Sequence, residues 1–167
     1  DLMPWTPSKA IIKPRALAQN VISYIQANQA DAILWANSNT ALRSIKKFGD
    51  TVANRLLPVY PSMYMTDDNS ASDYTNDVLT GAYSVQFEVN VQSTTPDEAK
   101  RQADVYAAAI ESMLNNQPNS SRITNTGALI AQLQLVEIGF LEIKANETQN
   151  DFLQTFQVRA TYSLLVS

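Results

Sequence analysis

Residues 82–92 read AYSVQFEVNVQ: Tyr83, Val85, Phe87, Val89 and Val91 alternate with Ser84, Gln86, Glu88, Asn90 and Gln92. Side chains on a strand point to opposite faces in turn, so this pattern makes one buried face and one wet face. Thr95-Pro96-Asp97-Glu98 follows and starts a helix. Thr95 is the N-cap, Pro96 takes the first helical position, and Glu98 reaches back to complete a capping box. Asp97 and Glu98 favour the positive end of the helix dipole, and Asp97 stands four residues before Arg101, the better order for an ion pair. Inside the helix Ala99, Ala103, Tyr106, Ile110 and Met113 form one apolar stripe, flanked by Leu114, that packs on a sheet. The helix ends near Asn115-Asn116, with Pro118 beyond.

Working outward, 119–127 is a polar loop and 128–145 reads as a strand with a fault in phase. Leu133 and Leu135 fall on odd numbers, Ile138 and Phe140 on even, Leu141 and Ile143 on odd again. Such slips predict a β-bulge, with Gly139 a plausible bend. A turn over 145–150 leads to Phe156, Val158, Ala160, Tyr162, Leu164 and Val166, which alternate with polar residues. This is a second long two-faced strand, in a hairpin with the one before it. Toward the start, Pro14 opens a helix over 15–29 with Leu17, Val21, Tyr24, Ile25 and Asn28 on one side. Residues 30–35 extend it or turn apart, and 41–57 fit a helical face as readily as an irregular strand. Pro58 and Pro61 bracket Val59-Tyr60, with Met63 and Met65 following; this is an edge strand, since proline cannot donate to a central ladder. Residues 67–77 read as a polar loop. The expectation is an α+β fold: a mainly antiparallel twisted sheet of about four strands, the long helix packed on one face, and an N-terminal helix. The chain divides into an arm, 1–13, and a single domain, 14–167.

A chain of 167 residues with a hydrophobic fraction of 45% can bury a real core. It has no cysteine, which excludes disulfides, thiolate metal sites and cysteine nucleophiles, and no histidine, the commonest general base. The net charge is −4 and the isoelectric point about 4.7, a balance that repels nucleic acid. No apolar run approaches the roughly 20 residues that cross a bilayer. The first residues carry Pro4 and Pro7 and no basic-then-apolar signal pattern, so synthesis in the cytoplasm is expected.

Asp67, Asp68, Asn69, Asp73 and Asp77 form the one cluster of hard oxygen ligands. Counted as a calcium loop from Asp67, positions five, six and twelve are Ala71, Ser72 and Val78, where a ligand, glycine and glutamate belong. The cluster therefore reads as a solvated loop able to order against a partner, and no metal or cofactor is expected. Glu88, Glu137 and Glu142 are the carboxylates available for acid–base work, but an exposed strand face carries such charges anyway. No GxSxG, P-loop, GxGxxG or HExxH occurs. Lys46-Lys47 with Arg43 is the nearest thing to a phosphate contact and reads as a surface set. Trp5, in a proline-bracketed arm, either folds back on its own domain or docks on a neighbour. Length points outward too: eleven strand residues reach about 37 Å, while a helix of about 19 covers only ~28 Å. Strand ends that outrun their helix need a cover or a pairing neighbour.

The order of elements, with Leu57-Pro58-Val59-Tyr60-Pro61, Tyr83-Ser84-Val85-Gln86-Phe87-Glu88-Val89, Pro96-Asp97-Glu98-Ala99 and Phe156-Gln157-Val158-Arg159-Ala160-Thr161-Tyr162, resembles the tail terminator proteins of long-tailed bacteriophages. The likeness runs over about 10–167. It implies a virion structural protein without enzymatic activity, assembled in the host cytoplasm and placed in the phage neck. The implied form is a homo-oligomeric ring, typically a hexamer, that caps the tail tube, stops its growth and docks to the head connector or stopper. DNA passes through the ring without specific binding, and no membrane is involved. Trp5, Asp67, Asp68, Asp73 and Asp77 are then candidate subunit or partner contacts. The alternatives are another neck or head-completion connector protein, or a small binding module or enzyme using carboxylates such as Glu88 and Glu137.

Overall fold

The computed structural model describes residues 12–49, 59–75, 78–117, 130–148 and 150–165. Among them are two helices, α1 (Pro14–Ala36) and α2 (Pro96–Asn115). Six strands accompany them: β1 (Lys47–Gly49), β2 (Ser62–Thr75), β3 (Val78–Ser93), β4 (Ile130–Phe140), β5 (Lys144–Asn146) and β6 (Asp151–Leu165). They form one mixed sheet in the order β1-β2-β3-β6-β4, with β5 also paired to β6. Only β1, parallel to β2, departs from antiparallel pairing. The α+β architecture matches the expectation, with more strands than the four anticipated.

Alternation sets the core. Tyr83, Val85, Phe87 and Val89 stand opposite Tyr162, Ala160, Val158 and Phe156, and all eight are at most 2% exposed. Full burial of a side chain such as Phe87 contributes about 1.5–3 kcal/mol before entropy is counted. Helix α2 lies across β3 and β6 with its stripe buried from Ala99 to Leu114, and α1 packs on α2, β2 and β3. The two helices make one layer on one face of the sheet.

Helix α1 runs on to Ala36, because 15–36 contain no glycine or proline to stop it, and Ile33 is buried in the core. It ends where Ser38 and Asn39 take positive φ angles of 54° and 65°. At the start of α2, the Thr95 hydroxyl accepts from the Glu98 amide at 3.2 Å, as expected of the N-cap. The reciprocal half of the capping box is replaced. Glu98 accepts two bonds from Arg101, at 2.7 and 3.0 Å, and one from Gln102 at 3.0 Å. The guanidinium fork matches both carboxylate oxygens, so Arg101 takes Glu98 and not Asp97. These bonds, led by Arg101, hold the Glu98 carboxyl down at about 2.

Three boundaries differ from the sequence reading. Residues 67–75 are strand, not loop: β2 pairs with β3 as far as Thr75 opposite Val78. Their side chains look loop-like because Asp67 to Ala71 are exposed, yet backbone pairing holds the strand regardless of side chain. The phase slip in β4 is a register shift between Leu133 and Leu135, while Gly139 stays in register with Gln157 and is not the bend. A second irregularity follows, where Leu141, Glu142 and Ile143 oppose only Gln154 and Thr155 before β5 resumes the pairing. Ala145 and Asn146, expected in the turn, belong to β5. The undecided stretch 41–57 supplies β1 at Lys47–Gly49.

Candidate assembly surface

With both helices on one face, the other face of the sheet carries mostly polar side chains among the described residues. At one end they bond to each other. The Tyr64 hydroxyl donates to Glu88 and accepts from Asn90 at 2.9 Å, and Thr155 donates to the Asn90 side-chain oxygen at 2.7 Å. Toward the middle, Arg159 on β6 donates twice to the Gln86 side chain, at 2.8 and 3.2 Å. Asn90 and Thr155 are buried by this network, while Gln157 and Thr161 are half-buried and Arg159 is exposed.

The candidate carboxylates do not converge. Glu88 and Glu137 lie on β3 and β4 with β6 between them, two rows apart, roughly 12 Å by strand spacing and rise. Glu142 is exposed in the irregular stretch after β4. The acidic cluster is likewise dispersed. Asp67 and Asp68 are in register with Gln86 and Val85, so the pleat turns them to opposite faces. Asp73 sits in β2 opposite Thr80, and Asp77 and Trp5 lie outside the described residues. Among the described residues no group of three acidic, histidine or cysteine side chains is placed to hold a metal.

A polar cavity of about 460 Å³ opens at the end of the sheet near the start of α2, lined by Arg43, Tyr60, Gln92, Gln102, Tyr106 and Asp151 among others. One oxygen of Asp151 accepts from Gln92, while the other is buried without a donor. Tyr106 donates to the Arg43 carbonyl. Burial pushes the Tyr106 phenol up to about 12, with the Arg43 charge opposing, and burial raises Tyr162 as well.

The sequence reading anticipated an edge strand near Met63 but missed its length beyond Met65 and the place of β4 at the opposite edge. On one side β1 covers only Ser62 to Tyr64 of β2, and Asp67 to Ala71 beyond are exposed. On the other side β4 is the outermost strand. Leu135, 51% exposed, is turned by the register shift onto the open face, and Phe140 and Leu141 are also exposed. Phe140 stacks at a tilt on Phe156 with 5.4 Å between centroids, and the Lys100 ammonium lies over its ring, 3.5 Å from the centroid. A further exposed aromatic, Trp35, ends α1. The phase slip between Leu133 and Ile138 was the one visible sign that an apolar residue would reach the wet face. Among the described residues no helix is long and apolar enough to cross a membrane.

No family model and no curated protein matches the sequence. Among solved structures, a chain of the virion of a native gene transfer agent particle is similar over 86% of this chain and 91% of that one, with 14% identity and a TM-score of 0.43.

Proposed function

We propose that this chain is a phage virion structural protein that performs no reaction: a tail terminator whose copies, six by the resemblance, close into a ring on the end of the tail tube. The observation that carries the reading is a sheet that, among the described residues, has helices on one face only and a long open strand edge on either side. A subunit that can be extended at both edges suits a ring. In such a ring the helices face outward, and the amide- and hydroxyl-rich open face lines the passage. Gln86, Gln157 and Thr161 there are uncharged, and Glu88 and Glu137 set negative charge beside Arg159, so the face would give DNA little to grip. The head connector docks on the far rim. The separation of Glu88 from Glu137 speaks against the carboxylate enzyme.

The test is microscopy and tube growth. Negatively stained protein at micromolar concentration, alone and mixed with tail tubes, should show rings, and rings added to growing tubes should arrest elongation. A protein that stays monomeric both alone and on tubes overturns the reading.

A further inference from the structure

The open edges carry the reading above one step further, to the contact between copies. Pairing runs straight across the four long strands: Glu137–Arg159–Gln86–Asp67 is one row and Leu135–Thr161–Ser84–Asn69 another. On β4 the rows from Gln132 to Ile138 span seven residues, including the extra residue Gln134 at the register shift. On β2 the same rows run from Ala71 to Met65, again seven residues, with Thr66 as the extra one. The next two rows, through Gly139 and Phe140, lead to Tyr64 and Met63, and there β1 already occupies the edge. Among the described residues the uncovered part of β2 therefore begins at the row of Ile138.

Direction fits as well. Three antiparallel steps separate β2 from β4, so the two edges run in opposite senses. A copy rotated about an axis along the strands keeps its strand directions, and its β2 edge then meets the first copy's β4 edge antiparallel.

We infer that β4 of each copy pairs with β2 of the next, Glu137 in the row of the neighbour's Asp67 and Leu135 in the row of its Asn69. The inference rests on the ring reading and supplies its contact. The pairing uses two different edges, so it propagates head to tail and closes only as a ring. Area argues against an isolated pair. Seven residues make an edge of about 24 Å, roughly 10 Å thick, or about 240 Å². A lasting pair covers about 800 Å² per partner. Closure holds every copy at both edges, about 480 Å² in all, and a copy leaves the ring only by breaking both contacts.

The chain has no cysteine, which makes disulfide trapping clean. Residues in one row across paired strands have Cβ atoms about 4.5–5.5 Å apart, close to what a disulfide spans. Within one chain Asp67 and Glu137 are three strands apart, roughly 14 Å, beyond bridging. The experiment oxidises Asp67→Cys and Glu137→Cys, each alone, mixed, and combined in one chain. Asn69→Cys with Leu135→Cys is a second in-row pair, and Asp67→Cys with Gln132→Cys an off-row control. All these positions are exposed, and circular dichroism checks that each variant folds. The expected result is no cross-link from single variants, a dimer band from each in-row mixture, a ladder from the combined chain, and a loss of at least fivefold for the off-row pair. Cross-linking of Glu137→Cys alone would mean that β4 pairs with itself, and would overturn the proposal. Rings seen by microscopy without cross-links at either in-row pair overturn the pairing but leave the ring standing. The absence of both rings and cross-links overturns the two together.

Discussion

Tyr106 shows how one side chain ties the helix layer to the chain outside it. Its ring is buried in the stripe of α2 while its hydroxyl donates to the Arg43 carbonyl between α1 and β1. Tyr106→Phe keeps the ring and leaves that carbonyl short of a donor, which should lower unfolding free energy by about 1 kcal/mol in urea titration. Its ionisation gives a pH signature. The phenol's ordinary value of 10 rises to about 12 in the fold, so the protonated form favours the native state. The contribution is complete below pH 10 and disappears as pH climbs through 12. Denaturation midpoints should therefore fall over that window, less steeply in Tyr106→Phe, with buried Tyr162 adding to the decline. The burial of Tyr106 was legible from its place in the stripe. Its partner was not, because Arg43 is 63 residues away along the chain.

At the scale of elements, α2 was readable nearly to the residue because its signals are local: a capping hydroxyl, a proline at N1 and an apolar step of three or four. Thr95→Ala removes the bond to the Glu98 amide and should cost about 1 kcal/mol, measured by thermal or urea unfolding. The central strand should be far less tolerant. Phe87→Ala, at a fully buried position, is expected to lose about 3–5 kcal/mol and to unfold at much lower urea. Strand β2 was misread beyond Met65 because Thr66-Asp67-Asp68-Asn69-Ser70 is wholly polar and shows no apolar alternation. What makes it a strand is the ladder to β3, and pairing between strands leaves little trace in composition.

For the whole molecule, the edge pairing places like charges side by side, since each Asp67 would stand in the row of the neighbour's Glu137. Opposed like charges weaken a strand pair by about 0.2–1 kcal/mol. Ring formation should accordingly strengthen as salt rises from low to physiological, and Asp67→Asn or Glu137→Gln should assemble at a few-fold lower concentration. Sedimentation velocity across a dilution series checks both. Assembly that weakens with salt, or with either neutral variant, would point to a contact made elsewhere on the surface.

The amino-acid sequence by itself determined the α+β class, the buried faces of β3 and β6, the stripe and cap of α2, and the presence of a break in β4. Each follows from periodicity or from a neighbour within four residues. Tertiary structure alone decided the placing of β3 between β2 and β6, the lengthening of β2 into a hairpin arm, the parallel β1 and how far each edge is left open among the described residues. Those depend on which backbone meets which across tens of residues, and hydrogen bonds between main chains are indifferent to the side chains that sequence records.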